Sequence, residues 1–390
     1  VAQRSVAQRV RAECVASAWP ERRRLWWLLW SRCPGVGWVR IRALESTFVS
    51  LEAAWSAPPD AFAALVGWSP QMLERLSAFR AGWGTDPLPR LVRDVRGGRG
   101  VLLPGDPRWP TGVRALARPP LALYWRGRGS LWRPLQGRAA VAVVGTRHPS
   151  SHGLTMARSL GSALAQGGWP VVSGLAEGID AAAHRGCIAA GGAPVGVLGT
   201  HLERVYPRHH VELQQKVGRC GLLVTESPVG SPVRAGHFAA RNRLQVALAT
   251  AVVVVECPES SGALHSAELA WAEGLPLWVV PADVGRASAA GSNRLLARGA
   301  TPLLSPADLL RQLGAGPLAA ASPVAAPAGP SAASLPAAST ILLKAVGQGA
   351  SLDALCRQLD RPASELAAQL LELELAGMLR AGPGLSWWPR

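Results

Sequence analysis

An α/β fold built on a doubly wound, mostly parallel sheet is predicted for the middle of this chain, and three observations predict it. Apolar runs at 140–144, 171–173, 194–198, 222–225, 251–256 and 277–280 are short and continuous, as strands covered on both faces are. Helix-length segments separate them, so successive strands are joined by crossovers. The first run ends in Gly145-Thr146-Arg147 and passes through a polar turn to a helix-like segment from Gly153, which is a strand, a tight turn and a helix. Ligands of such sheets sit beyond the carboxyl ends of the strands. Function is therefore sought in the post-strand loops.

The flanks read differently. Within 1–86, the text from Glu21 to about Ala81 is a series of short helices, with Leu25, Trp26, Leu28, Leu29 and Trp30 as an apolar face. CPGVGWVRIRALES has the form of a helix-hairpin-helix unit, in which Gly35 and Gly37 make the hairpin and Arg40 and Arg42 stand near any phosphate it meets. Pro-Gly-Val-Gly is also an ordinary interhelical turn, so a packing or protein-interaction domain is the competing reading. The central domain spans 87–313 and opens with VLLPGDPRWP and LALYWRGR, two strands at its edge. Ala, Pro, Gly and Ser dominate 314–338, a linker that cannot bury enough apolar surface to order itself. Residues 339–390 read as three helices and a small wing, a winged-helix-like domain whose third helix carries Glu365, Glu372 and Glu374 and is poorly suited to a DNA groove.

At 390 residues and 48% apolar composition the chain has material for two or three domains. No stretch approaches the about 18 unbroken apolar residues of a membrane span, and the Arg-rich start lacks a signal-peptide pattern. A cytoplasmic protein without membrane insertion is expected. Cys14, Cys33, Cys187, Cys220, Cys257 and Cys356 show no CxxC spacing, which argues against a zinc site or a disulfide framework. Basic residues outnumber acidic by 41 to 25, and all but Lys216 and Lys344 are arginines. The surplus favours a polyanionic partner, although an arginine-biased composition gives the same count. It is concentrated in residues 1–138, with 22 basic against 9 acidic groups.

Four post-strand loops carry candidate chemistry. Gly145, Thr146 and Arg147 offer backbone N–H groups and a guanidinium fork to a phosphate. The loop is not GxGxxG and no acidic residue ends the second strand, so a dinucleotide cofactor is not expected. Ser173 and Gly174, with the turn at Gly178 and Asp180, form a second loop. Asp180 and His184 lie four apart on a helix and read as a helix cap and a structural hydrogen bond, with a catalytic pair as the alternative. The third loop combines Arg234, Phe238, Arg241, Asn242 and Arg243: cationic forks, a ring and an amide, as single-strand binding requires. Ser260, Ser261 and Gly262 form the fourth, small enough for close approach to an anion.

Six stretches of the central domain together resemble the DNA-processing protein A family (DprA, also called Smf) of bacterial transformation factors. They are VVGTRHPSSHG at 143–153, SGLAEGIDAAAHRG at 173–186, VLGTHLERVYP at 197–207, TESPVGSPVRAGHFAARNR at 225–243, VVVVECPESSGALHSAELA at 252–270 and GSNRLLARGA at 291–300. The resemblance implies an extended Rossmann-like domain between a small helical domain and a winged helix. It also implies a homodimer that binds single-stranded DNA and helps to load a RecA-type recombinase; a non-enzymatic binder with no catalytic residue, metal or cofactor is the leading expectation. The last crossover, 292–300, and the apolar run 303–313 are the expected dimer surface. Three positions depart from the family pattern: Glu177 where a basic residue is common, Ala239 for Pro, and Ala282 for Gly. A nucleotide-processing hydrolase of the phosphoribohydrolase type, using Glu268 or Asp180 with His184, is the alternative; a protein adaptor working through the terminal modules is a third.

Overall fold

Each of the six apolar runs becomes a strand. The computed structural model describes residues 19–63, 65–95, 100–319, 337–347, 349–375, 378–382 and 385–389, and its chain divides into two units, residues 1–320 and 321–390. The first unit holds one sheet made of β1 (Gly100–Leu102), β2 (Leu123–Gly127), β3 (Val141–Val144), β4 (Val171–Ser173), β5 (Pro194–Val197), β6 (Leu222–Thr225), β7 (Ala251–Val254), β8 (Leu277–Val279) and β9 (Thr301–Pro302). Their order is β1-β2-β6-β5-β4-β3-β7-β8-β9. From β6 to β9 all neighbours are parallel, whereas β2 runs antiparallel to both β6 and β1. The chain winds outward from β3 to β6 and restarts at β7, so the order reverses between β3 and β7, where open sheets of this kind take their ligands.

Every residue of β3 to β8 is buried, which explains why the sequence shows continuous rather than alternating apolar runs. The helices that cover them are α1 (Glu21–Ser31), α2 (Trp38–Thr47), α3 (Leu51–Ser56), α4 (Asp60–Ala63), α5 (Pro70–Trp83), α6 (Leu88–Val95), α7 (Thr111–Ala115), α8 (Trp132–Gln136), α9 (Ser151–Gln166), α10 (Ile179–Ala189), α11 (Val211–Cys220), α12 (Ala235–Ala247), α13 (Gly262–Ala272), α14 (Ala290–Ala297) and α15 (Pro306–Leu313). Successive β3 residues serve opposite cores: Ala142 and Val144 pack with Leu244 of α12 and Ala267 of α13, Val141 and Val143 with Leu160 of α9 and Ala183 of α10. α9 and α10 meet at backbone distance. A Cβ at Gly161 would overlap the Ala183 carbonyl, and one at Gly186 the Arg158 carbonyl.

The helical region α1–α6 continues past residue 86 and shares one apolar cluster with Leu103, Tyr124, Leu198 and Leu223 of the sheet. Two of its tryptophans donate to carbonyls, Trp27 Nε1 to Leu121 O (2.8 Å) and Trp30 Nε1 to Leu51 O (2.9 Å). The Arg80 guanidinium lies 4.9 Å from the Phe62 ring centre. Its Nη1 and Nη2 donate to the Ala57 (2.8 Å) and Ala54 (2.5 Å) carbonyls.

Two expectations need correction. The first residues of the expected linker are bound to the sheet unit, since Trp169 Nε1 donates to Gly314 O (3.0 Å), Gly316 N to Gly167 O (2.7 Å) and Leu318 N to Gly168 O (3.0 Å). Residues 320–336 lie outside the described residues. The run 303–313 is not an exposed apolar face either: Leu303 and Leu309 are fully buried, and Leu304 is the one strongly exposed leucine. In the second unit α16 (Ala337–Val346), β10 (Ala350–Ser351), α17 (Leu352–Leu359), α18 (Ala363–Leu375), β11 (Leu379–Gly382) and β12 (Ser386–Pro389) surround Leu342, Leu355, Leu366, Leu370 and Trp387. Its antiparallel sheet, ordered β10-β12-β11, supplies the wing.

The close α9–α10 contact makes a specific demand. Gly161→Val is expected to lower stability by about 2–3 kcal/mol through overpacking, read as a reduced urea midpoint; an unchanged midpoint would contradict the packing described.

Candidate nucleic-acid interface

At the reversal of strand order the crest of the sheet is already filled. The Thr146 N–H donates to the Glu256 carbonyl (2.7 Å), joining the loops that follow β3 and β7. The Glu256 carboxylate turns inward, only 3% exposed. It accepts from Ser150 N (3.1 Å), Ser150 Oγ (2.8 Å) and Ser288 Oγ (2.5 Å). Ser150 is the N-cap of α9 and its Oγ also accepts from Gly153 N (3.1 Å). A helix N-terminus favours an anion, and here the anion is the protein's own. Gly153 is required at this point because a Cβ would collide with that carboxylate. Thr146 is buried, its Oγ1 accepting from His148 N (3.2 Å), while Arg147 is exposed.

The β4 loop is filled in the same way. Gly174 N (3.0 Å) and Ala176 N (3.4 Å) both donate to Asp180 Oδ2, and Ser173 Oγ donates to the Val143 carbonyl (2.7 Å). Burial pushes the Asp180 carboxyl up from its ordinary value, and the nearby Arg241 charge opposes that shift. Arg241 is 6% exposed, packs on Gly174 and donates to the Val197 carbonyl. Burial lowers its pKa, with Asp180 the main opposing influence. Ser173, Gly174 and Arg241, expected as DNA contacts, are therefore buried in this structure, because Arg241 projects from the same buried face of α12 as Leu244 and Gln245. His184 is fully buried and pushed down to about 4 by desolvation. It is neutral at pH 7, and neither it nor Asp180 faces a surface where substrate could meet them.

The groups that face outward gather at the first turn of α12. Arg234, its N-cap, is exposed, and no side chain caps this helix. Phe238 is half-buried against Tyr206, ring centres 4.7 Å apart and planes inclined by 46°. Gly199 lies beneath it: a Cβ there would stand 2.7 Å from the Phe238 ring. Tyr206 is 45% exposed and was not among the expected residues; an aromatic in the polar VLGTHLERVYP loop was the available signal. Asn242 Nδ2 donates to the Gly262 carbonyl (3.2 Å), so the third and fourth loops meet. Ser261 is committed to α13, whose Ala263 N it receives (3.2 Å). Arg243 is paired with Glu226 (2.5 Å) and is half-buried. Arg147 is exposed in the loop that follows β3, on the same carboxyl-end crest, and its charge acts with burial to lower the Arg241 pKa. Glu177, the acidic departure, meets His209 Nε2 at 3.2 Å.

Glu268, the acid of the hydrolase reading, lies on the surface of α13 in an ion pair with Arg298 (2.5 Å), which holds its carboxyl below the usual range. Arg298 also covers the Trp271 ring at 4.5 Å. The hairpin arginines are likewise engaged: Arg40 donates to the Gly67 (2.8 Å) and Gly35 (2.5 Å) carbonyls and Arg42 meets Glu45 at 3.0 Å. Among the described residues no three metal-ligating side chains come together.

Residues 100–314 match the family model described as DNA recombination-mediator protein A. The chain belongs to that family. Residues 326–384 match the model of the DprA winged helix domain. Among DNA recombination-mediator relatives, protein Smf of Synechocystis is 37% identical over 294 residues, covering 75% of this chain and 73% of that one. DNA processing protein DprA of Bacillus subtilis is 30% identical over 227 residues, 58% of this chain and 75% of its own. The solved DNA processing protein A of Streptococcus pneumoniae superposes with a TM-score of 0.62 at 25% identity, covering 74% of this chain and 97% of that one. That of Helicobacter pylori, described for its single-stranded DNA binding mode, gives 0.50 at 28%, covering 55% and 95%.

The buried Arg241 of this DNA recombination-mediator chain tests the division into inner and outer groups. Arg241→Ala leaves Asp180 buried without its opposing charge and is expected to cost about 3 kcal/mol of stability, measured by chemical denaturation. Undiminished stability together with lost DNA affinity would return Arg241 to the binding surface.

Proposed function

We propose that this protein binds single-stranded DNA across the first turn of α12 and hands the strand to a RecA-type recombinase during DNA uptake, acting as a cytoplasmic homodimer and without catalysis. The observation that carries the reading is the Phe238–Tyr206 ring pair at a helix N-terminus whose capping position is taken by an exposed arginine. Rings give bases a stacking surface of any sequence, and cations meet the phosphates. Arg147 and Arg234 are the phosphate contacts in this reading, and Gly145, Asn242 and Gly262 border the strand. Arg243 contributes through its pairing with Glu226, which steadies the approach to α12. Family membership and the DNA-binding relative from Helicobacter pylori support the assignment. No helix among the described residues is long and apolar enough to cross a membrane. The buried Asp180 and His184 and the ion-paired Glu268 weigh against the hydrolase alternative.

Base-edge recognition has no part in this arrangement, so single strands should outcompete duplex of equal length with little sequence preference. Phe238→Ala is expected to weaken binding by about 1–3 kcal/mol while leaving the salt dependence unchanged. Arg147→Ala and Arg234→Ala should each flatten that dependence by about one unit, the slope associated with a single phosphate left unneutralised. Fluorescence anisotropy across a salt series reads both effects; equal competition by duplex would refute the assignment.

A further inference from the structure

α12 presents two faces at its first turns. Phe238 and Arg241 turn toward β4 and β5, whereas Arg234, His237, Ala240 and Arg243, spaced by three, line a cleft on the other side. That cleft has a volume of about 1400 Å³. Its far wall comes from the helical region: the hairpin turn at Cys33–Val36, and Arg75, Phe79 and Trp83 of α5. Two of its arginines are neutralised, Arg32 by Asp94 (3.4 Å) and Arg243 by Glu226 (2.5 Å). Arg75 and Arg234, both exposed, have no carboxylate partner among the described residues. The cleft and the ring pair adjoin at Gly199, which touches Phe238 and also lines the cleft.

We propose that this cleft is a second segment of the path for single-stranded DNA: the strand crosses the Phe238–Tyr206 rings, turns around the first turn of α12, and continues between α12 and α5. Arg234, at the turn, faces both segments. Arg75 meets a phosphate on the far wall, and the half-buried Phe79–Trp83 pair (6.0 Å), with Arg90 over Trp83 at 4.8 Å, gives the bases beside it an apolar, cation-lined border. A polyanion suits the two uncompensated cations, and a lining of both polar and aromatic side chains suits unpaired nucleotides, whose bases are free to pack, better than a duplex. The helical region thereby acquires a role in DNA binding that its hairpin, with Arg40 and Arg42 engaged internally, does not supply.

This inference rests on the single-strand reading above, and length dependence separates the two. Anisotropy titrations would compare oligothymidylates of about 4 and about 16 nucleotides, a range typical of single-strand sites. Arg75→Glu, on an exposed helix surface, is expected to leave the short strand bound within about twofold and to weaken the long one about tenfold, lowering its salt slope by about one. Arg75→Lys should restore most of the loss. Arg219→Glu, an exposed reversal on α11 near the opposite end of the strands, should change neither length, which controls for net charge. Wild-type affinity of Arg75→Glu at both lengths, with Phe238→Ala still defective, would overturn the cleft segment and leave the single-strand reading standing, the cleft then being free for a protein segment. Equal weakening of both lengths would also overturn it. Absence of single-strand binding by the wild-type protein would remove both readings together.

Discussion

Where the strand order reverses between β3 and β7, the Glu256 carboxylate accepts hydrogen bonds from Ser150 and Ser288 and occupies the place where open α/β sheets hold their ligands. The N-terminus of α9 would attract a nucleotide phosphate, and a buried carboxylate within that first turn repels one. Asp180 does the same for the amides of the β4 loop. With these two positions closed from within, an external polyanion is left with the outer rim, and on that rim α12 is the helix whose N-terminus carries an arginine in place of a capping acceptor. In the proposed reading, a fold that often binds small cofactors is thereby turned toward a long, flexible ligand that lies across its surface.

The sheet was legible because strands buried on both faces must be continuously apolar, and all six runs became strands within a residue or two of their expected limits. The site was legible only in part. Arg241 and Arg243 look equivalent in the text, yet on a helix they point about 200° apart, and Arg241 lies three and four residues before the buried Leu244 and Gln245. That spacing was available as a sign that it faces inward. Ser173 and Gly174 end a buried strand, and the distance between an amide that faces solvent and one that faces Asp180 is not written in the local sequence. Glu256 carries no motif of its own; its role depends on Ser150 and Ser288, far away in the chain. Tyr206 differs in that its VLGTHLERVYP loop is legible as a stretch, but only the fold brings its ring to Phe238.

Charge was the least reliable guide. The basic surplus of the first part of the chain suggested a DNA-binding flank, but Arg22, Arg23, Arg24 and Arg32 are paired with Glu52, Glu45, Asp106 and Asp94. Arg80 is spent on carbonyls and rings in the tryptophan-rich core. A formal charge count treats each arginine alike, whereas only the unpaired and exposed ones attract a polyanion over distance. These five arginines therefore serve the helical region itself, and the charge that advertises a ligand rests on the exposed, unpaired ones such as Arg75.

The central claim is that the crest is closed from within and the strand is held outside it. A crystal structure of the protein with a bound oligothymidylate tests this most directly. The account predicts a base against the Phe238–Tyr206 pair, phosphates beside Arg147 and Arg234, and the Glu256 carboxylate still bonded to Ser150. A phosphate seated on the Ser150 amide with Glu256 displaced, or a strand bound with both rings bare, would contradict it.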